Sequence, residues 1–266
     1  MTSDIAGRPT PTGRRAREYL PAVAVFVVVA AAWEAAVFLF DIQFYLLPAP
    51  HTIVSTLAAT WPVLVEAGLY TFTEVVIGYA IGCGLGVLAA MIASRSPAFV
   101  NLMLPWAIAS ASVPIVALAP LAIVWFGIAH GSKIAIVALM TFFPTFVSTA
   151  RGLVTVSPAS LELMRSYAAS EWHLFARLRL PHALPFLFTA LRACTTLAMI
   201  GAVVSEFFGG PMKSLGVYIK SSASLFQTRQ AWAAILVTCA LGLAFYGAVA
   251  LAERLAMPWR ADGPTR

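Results

Sequence analysis

The feature that most constrains this chain is a series of long apolar runs separated by short polar connectors. About 20 apolar residues in a helix cross the roughly 30 Å of hydrocarbon in a bilayer. Six runs reach that length, at about 20–40, 67–92, 102–127, 131–150, 184–207 and 230–252. Because backbone polar groups in lipid must be satisfied within the segment, each run is predicted to be a helix. The sequence therefore predicts an all-α membrane protein with six transmembrane helices.

Composition supports this class and excludes others. Of the 266 residues, 61% are hydrophobic and 11% are charged, whereas a soluble domain is typically about 25% charged. The cysteines and histidines show no metal-ligand spacing, and neither GxxxxGK[ST] nor HExxH occurs. We therefore predict no metal, no cofactor and no enzyme activity in this chain. The net charge of +6 comes mainly from the connectors, so nucleic-acid binding is not predicted.

The positive charges predict the orientation. With the N-terminus inside, thirteen of the 17 lysines and arginines fall in or beside cytoplasmic segments. The other four are Lys133, Lys213, Lys220 and Arg229. Since positive charge concentrates on the cytoplasmic side, both termini are predicted to be cytoplasmic, in a multi-pass protein of the cell membrane.

Polar segments and prolines predict the organisation between these ends. Residues 1–19 form a cytoplasmic tail, 20–65 an uncleaved first span with an external connector, 66–252 the main membrane domain, and 253–266 a second cytoplasmic tail. Within the external connector, His51 to Trp61 is expected to form a short interfacial helix. Three prolines in the third span predict a bent or broken helix. Gly78, Gly82, Gly84 and Gly86 predict a close helix contact in the second span.

The connector between the fourth and fifth spans is the most polar segment inside the membrane domain. Ser157 followed by Pro158 predicts a helix start. Apolar residues at spacings of 3 and 4 predict one amphipathic helix; they are Leu161, Met164, Ala168, Trp172 and Phe175. Ser170 followed by Glu171 offers a second helix start, so a helix, a tight corner and another helix are equally compatible with the sequence. Leu180-Pro181 is expected to end the segment.

This connector resembles the cytoplasmic signature of ATP-binding cassette (ABC) importer permeases. That signature reads Glu-Ala-Ala, three residues, Gly, nine residues, Ile, one residue, Leu-Pro; Glu162, Leu178 and Leu180-Pro181 match it in register. Leu163-Met164 replace the two alanines, and Ala168 replaces the glycine. The stretches at 168–172, 180–185, 119–127, 205–207 and 215–216 are similar to the nitrate, sulfonate and taurine branch of these permeases. The resemblance covers roughly residues 45–255.

The resemblance implies a type I importer permease fold with a cytoplasmic coupling helix between the fourth and fifth spans. It implies three protein partners: a dimer of ATPase subunits, which would bind ATP and magnesium, an extracytoplasmic solute-binding protein, and a second permease copy. Glu162 and Arg165 would make charged contacts with the ATPase, and the apolar contacts would come from Leu161, Met164 and Ala168. Ser170, Leu180 and Pro181 complete the implied coupling set. We expect right-handed backbone at Ala168, with Ser170 capping the next helix.

Several polar residues in the spans are candidates for lining a pathway, because polar groups in a membrane segment are costly unless they have a function. They are Ser110, Ser112, Thr195, Thr196 and Glu206. Bonding of each hydroxyl to its own helix backbone is the competing interpretation. The implied cargo is a small polar or anionic solute, such as a sulfonate, nitrate or taurine. One alternative is a secondary transporter driven by an ion gradient through Glu74 or Glu206; another is a membrane scaffold.

Overall fold

The described part of the chain is built from helices joined by short connections. The computed structural model describes residues 11–258 except 97, 99, 101, 104, 107, 108 and 110–112, and it describes side chains from residue 21 onward except residue 22. The helices are α1 Pro11–Leu39, α2 Pro50–Ala59, α3 Trp61–Ala93, α4 Ile115–Phe126, α5 His130–Val154, α6 Pro158–Ser166, α7 Glu171–Leu174, α8 Leu180–Phe208, α9 Leu215–Ser224 and α10 Thr228–Ala256. A π-helical turn, Phe175–Arg179, joins α7 to α8.

Four described helices are long and apolar enough to cross a membrane: α3, α5, the continuous helix Glu171–Phe208, and α10. They correspond to the predicted second, fourth, fifth and sixth spans. The first predicted span falls in α1, whose described apolar part is Val23–Leu39, and the third overlaps the short helix α4. The count of six spans therefore stays a prediction. The short helix predicted in the external connector is present as α2, which starts at Pro50; its place at the membrane interface stays a prediction.

Helix α5 lies at the centre of the bundle, packed between α3 and α8. Glycines allow α3 to approach it closely, as predicted. A Cβ at Gly78 would lie 2.6 Å from Val137 Cβ, and one at Gly86 would lie 2.7 Å from the carbonyl oxygen of Phe142. Gly84 differs, because its missing side chain would point into open space. The α3–α5 contact is therefore a backbone-to-backbone approach that larger residues would separate.

Helices α9 and α10 pack on each other and on α3 and α8. Leu64 of α3, Leu215 of α9 and Ala233 of α10 belong to one buried cluster. Helix α10 also packs on α2, and α1 contacts α2. The sequence did not predict α9, which lies in the connector between the fifth and sixth spans. Its start is fixed by polar contacts with α3 and α8, described below.

Candidate functional site

Helix α6 starts where the sequence predicts and exposes its charged residues. The Ser157 hydroxyl caps it by accepting a hydrogen bond from the Ser160 amide at 3.2 Å, with Pro158 in the first turn. Glu162 and Arg165 are exposed, and no salt bridge joins either to another described residue. Both charged groups are therefore available to a partner.

The corner after α6 contradicts the expectation for Ala168. Its φ is 55°, in the left-handed region, where right-handed backbone was expected. The Ala168 amide donates to the Arg165 carbonyl at 2.9 Å, and the Ala169 amide donates to the Met164 carbonyl at 3.2 Å. These two bonds form a Schellman motif, which ends a helix by placing one residue, usually glycine, in left-handed backbone. Alanine therefore occupies a strained position, because the two bonds hold the turn closed.

The segment is a helix, a corner and a second helix, so the interpretation as one amphipathic helix is wrong. Ser170 caps α7, as predicted, by accepting from the His173 amide at 3.4 Å. The corner breaks the predicted apolar stripe: Trp172 is 71% exposed and stacks on Phe175 at 6.1 Å, beyond the turn that ends at Ala168. The break follows from the Schellman motif, which ends the helical periodicity at Ser166.

The exposed apolar side chains of α6 and the corner are not the predicted ones. Leu161 and Met164 are half-buried, whereas Leu163 is 58% and Tyr167 77% exposed. The sequence contained one indication that Leu163 is unusual, because it replaces an alanine of the ABC permease signature. It contained no indication that Tyr167 would be exposed. The corner also borders a shallow depression of about 470 Å³, lined by Met164, Tyr167, Ala168, Ala169, Ser170, His173 and Arg177. We call residues 157–177 the corner surface.

Leu180-Pro181 does not end the segment, contrary to the prediction. Helical structure runs on from Glu171 to Phe208, and Leu180 and Pro181 form the first turn of α8. The Leu180 amide bonds to the Phe175 carbonyl, five residues earlier. Pro181 has no amide hydrogen and cannot donate the usual backbone hydrogen bond of a helix. The extra residue of the π turn accommodates Pro181, so the helix continues without a break. The part of the corner surface from Glu171 onward is thus continuous with a membrane-spanning helix.

Glu206 lies in a buried polar cluster at the other end of α8. Its Oε1 accepts from the Thr71 hydroxyl at 2.8 Å, and its Oε2 accepts from the Gly216 amide at 2.6 Å. The Thr71 hydroxyl oxygen also accepts from the Leu215 amide at 3.0 Å. Glu206 and Thr71 therefore satisfy two free amides in the first turn of α9 and tie that helix to α3 and α8.

Glu74 and two basic residues complete this cluster. Glu74 Oε1 lies 2.9 Å from His130 Nδ1, and the ring of His130 stacks on Tyr70 at 4.2 Å. Lys133 is fully buried, and its Nζ donates to the Ile128 carbonyl. The predicted external charge at Lys133 is therefore inside the helix bundle. Glu74, Glu206 and Lys133 lie close enough to interact electrostatically within this buried cluster.

The remaining pathway candidates are dispersed. The Thr195 hydroxyl is buried and bonds to its own helix at the Arg192 carbonyl, at 2.7 Å, as in the competing interpretation. Thr196 is exposed. Ser110 and Ser112 lie outside the described residues. The described residues contain no cluster of three or more His, Cys, Asp or Glu that could hold a metal ion.

The chain is similar to known membrane transport proteins. Residues 82–256 match the family described as binding-protein-dependent transport system inner membrane component. The formylaminopyrimidine transport permease protein ThiX of Halalkalibacterium halodurans is 31% identical, over 93% of this chain and 98% of its own. The putative aliphatic sulfonates transport permease protein SsuC of Bacillus subtilis is 28% identical, over 93% and 90%.

The solved structures give a similar fold. A chain in the crystal structure of an amino acid ABC transporter with histidines superposes with a TM-score of 0.59 at 17% identity. The match covers 76% of this chain and 97% of that chain. At this identity the likeness concerns the fold alone.

Proposed function

The chain belongs to the family of inner membrane components of binding-protein-dependent transport systems, which makes it an ABC importer permease, and from this premise we propose how it is driven and what it carries. The predicted resemblance is thereby confirmed, and a secondary transporter using Glu74 or Glu206 is not favoured. Membrane location follows from the family and from the four apolar spans.

We propose that the corner surface is the contact with a separate ATPase subunit. The observation that carries this proposal is that Glu162 and Arg165 are exposed, form no salt bridge with another described residue, and lie beside the exposed apolar side chains of Leu163 and Tyr167. Charge flanking an exposed apolar patch is typical of protein interfaces. Leu161 and Met164, which are half-buried, would support this surface from below, and the exposed Ala168 and Ser170 would form its corner. ATP and magnesium would be bound by the ATPase.

The helix geometry supports a mechanical role for the docking segment. Because α7, the π turn and α8 form one continuous helix through Leu180 and Pro181, a force on α6 that passed through the hydrogen-bonded corner would act on a membrane span. We propose that two permease copies pair with an ATPase dimer, and that a solute-binding protein delivers cargo from outside. Both termini would then be cytoplasmic, on the same side as the corner surface.

The proposed cargo is a small polar or anionic solute. The relatives differ here, since one is named for a formylaminopyrimidine and another for aliphatic sulfonates. Thr196, Ser110 and Ser112 are the proposed pathway residues. We propose a positioning role for Glu206, because both its oxygens are engaged by donors of its own chain and its side chain is fully buried. Binding measurements on the partner solute-binding protein would identify the cargo.

Charge substitution tests the docking proposal. We expect Glu162→Ala and Arg165→Glu to weaken association with the ATPase and uncouple ATP hydrolysis from uptake, while membrane insertion is unchanged. Co-purification of the ATPase with the tagged permease measures the first effect, and uptake per ATP hydrolysed in proteoliposomes measures the second. Arg229→Glu is the matched control, because Arg229 is exposed and lies over the Phe44 ring, far from the corner surface in sequence. Normal co-purification and coupling in both variants would refute the assignment.

A further inference from the structure

We propose that the groove between the end of α3 and the α7–π-turn segment binds a phospholipid of net negative charge. The groove has a volume of about 580 Å³. Its apolar wall includes Leu88, Ile92, Trp172 and Phe175, of which Leu88 is 56%, Ile92 67% and Trp172 71% exposed. Exposed apolar surface of this extent needs a cover, and in a membrane protein an acyl chain supplies one.

The other end of the groove is basic. Arg95 follows the last residues of α3, and Arg179 ends the π turn. Both also border an adjoining depression of about 150 Å³. Neither makes a salt bridge with another described residue. Glu171 is the acidic residue among the groove's described lining, which leaves a net positive charge of one beside the apolar wall.

The spacing of these features matches the layers of a membrane. Helix α3 is a membrane span by length and composition, so its end lies near the level of the lipid headgroups. Leu88 lies inside α3 and Arg95 lies two residues beyond its end, a separation of seven residues or roughly 10 Å at the helical rise, so the apolar wall and Arg95 lie at different depths. Basic pockets between helices at a membrane face bind anionic headgroups. The hydroxyls of a glycerol headgroup could donate to Glu171.

A free phosphate ion is the competing ligand, since it satisfies the two arginines equally well. It leaves the apolar wall uncovered, which is why the structure favours the lipid. The groove shares Glu171, Trp172 and Phe175 with the corner surface, but Glu162, Leu163, Arg165 and Tyr167, which carry the proposed ATPase contact, do not line it. The inference therefore goes beyond the proposed function and needs only that the chain is embedded in a membrane. Its test therefore measures binding and requires neither the ATPase activity nor the cargo.

The experiment is quenching of Trp172 fluorescence by brominated lipids in vesicles containing the intact permease. Brominated phosphatidylglycerol is compared with brominated phosphatidylcholine at equal mole fraction, and the difference from a Trp172→Phe variant isolates the signal. One net positive charge at the membrane surface predicts about a fivefold preference for phosphatidylglycerol. We expect Arg95→Gln or Arg179→Gln to abolish the preference, and Glu171→Gln to raise it to about 25-fold.

The Glu171→Gln variant keeps the test decisive, because misfolding would not strengthen lipid selectivity. Arg229→Gln is the control and should leave the preference unchanged. Equal quenching by both lipids in the unmodified protein would overturn the proposal, as would a preference that survives both arginine substitutions. Loss of the preference on adding inorganic phosphate to the vesicles would assign the site to a soluble anion and overturn it too.

Discussion

Replacing Ala168 by glycine should stabilise the corner after α6. Alanine in left-handed backbone costs about 1–2 kcal/mol relative to glycine, and Ala168 has a φ of 55° there. Glycine loses about 0.4–1 kcal/mol through the greater freedom of the unfolded chain. The exposed methyl group of Ala168 contributes little burial. The net gain is about 0.5–1 kcal/mol, which slows local opening of the corner about two- to fivefold.

The neighbouring alanine provides a matched control. Ala169 is outside the left-handed region, so Ala169→Gly removes no strain and costs about 0.4–1 kcal/mol. Hydrogen–deuterium exchange of peptides covering residues 158–175 in the purified permease measures both variants. We expect slower exchange for Ala168→Gly and faster exchange for Ala169→Gly, with a ratio of about 5 to 30 between them. Equal exchange, or the opposite order, would refute the argument from backbone strain.

Two further substitutions test the packing of the bundle and the start of α9. Gly78→Ala should destabilise the protein by about 1–3 kcal/mol and lower the melting temperature in detergent, because its Cβ would lie 2.6 Å from that of Val137; Gly84→Ala, in open space, should not. Thr71→Val should cost about 1–3 kcal/mol by leaving buried polar groups without partners and should speed exchange in 215–224, whereas Thr73→Val, whose hydroxyl bonds its own helix, should do neither. An unchanged melting temperature in Gly78→Ala would contradict the close contact with Val137. Unchanged exchange in Thr71→Val would contradict the role of Thr71 at the start of α9.

The sequence predicted those features that are determined by residues close to one another in the chain. The caps at Ser157 and Ser170 were predictable because a hydroxyl capping its own helix acts within three residues. The span α5 was predictable from its length and apolar composition. The left-handed conformation of Ala168 was not, because intrinsic preference disfavours it and the surrounding turn imposes it.

Contacts between distant residues could not be predicted from one sequence. Glu206 was identified as a costly buried carboxylate, but its partner Thr71 is 135 residues away and carries no local signal. The same contact fixes the start of α9, so that helix was missed as well. Leu180-Pro181 was interpreted as a break because proline usually interrupts a helix.

The continuity of α7, the π turn and α8 has a consequence for leverage. From Leu180 to Phe208 the helix has 29 residues, which is roughly 43 Å at 1.5 Å per residue. A tilt of about 5° at the π turn would displace the far end by about 4 Å for a rod of that length. Glu206 lies near that far end and holds the first turn of α9. A rotation at the corner surface can therefore be too small to break the hydrogen bonds of the corner and still move Glu206 by more than the length of the hydrogen bonds that hold α9.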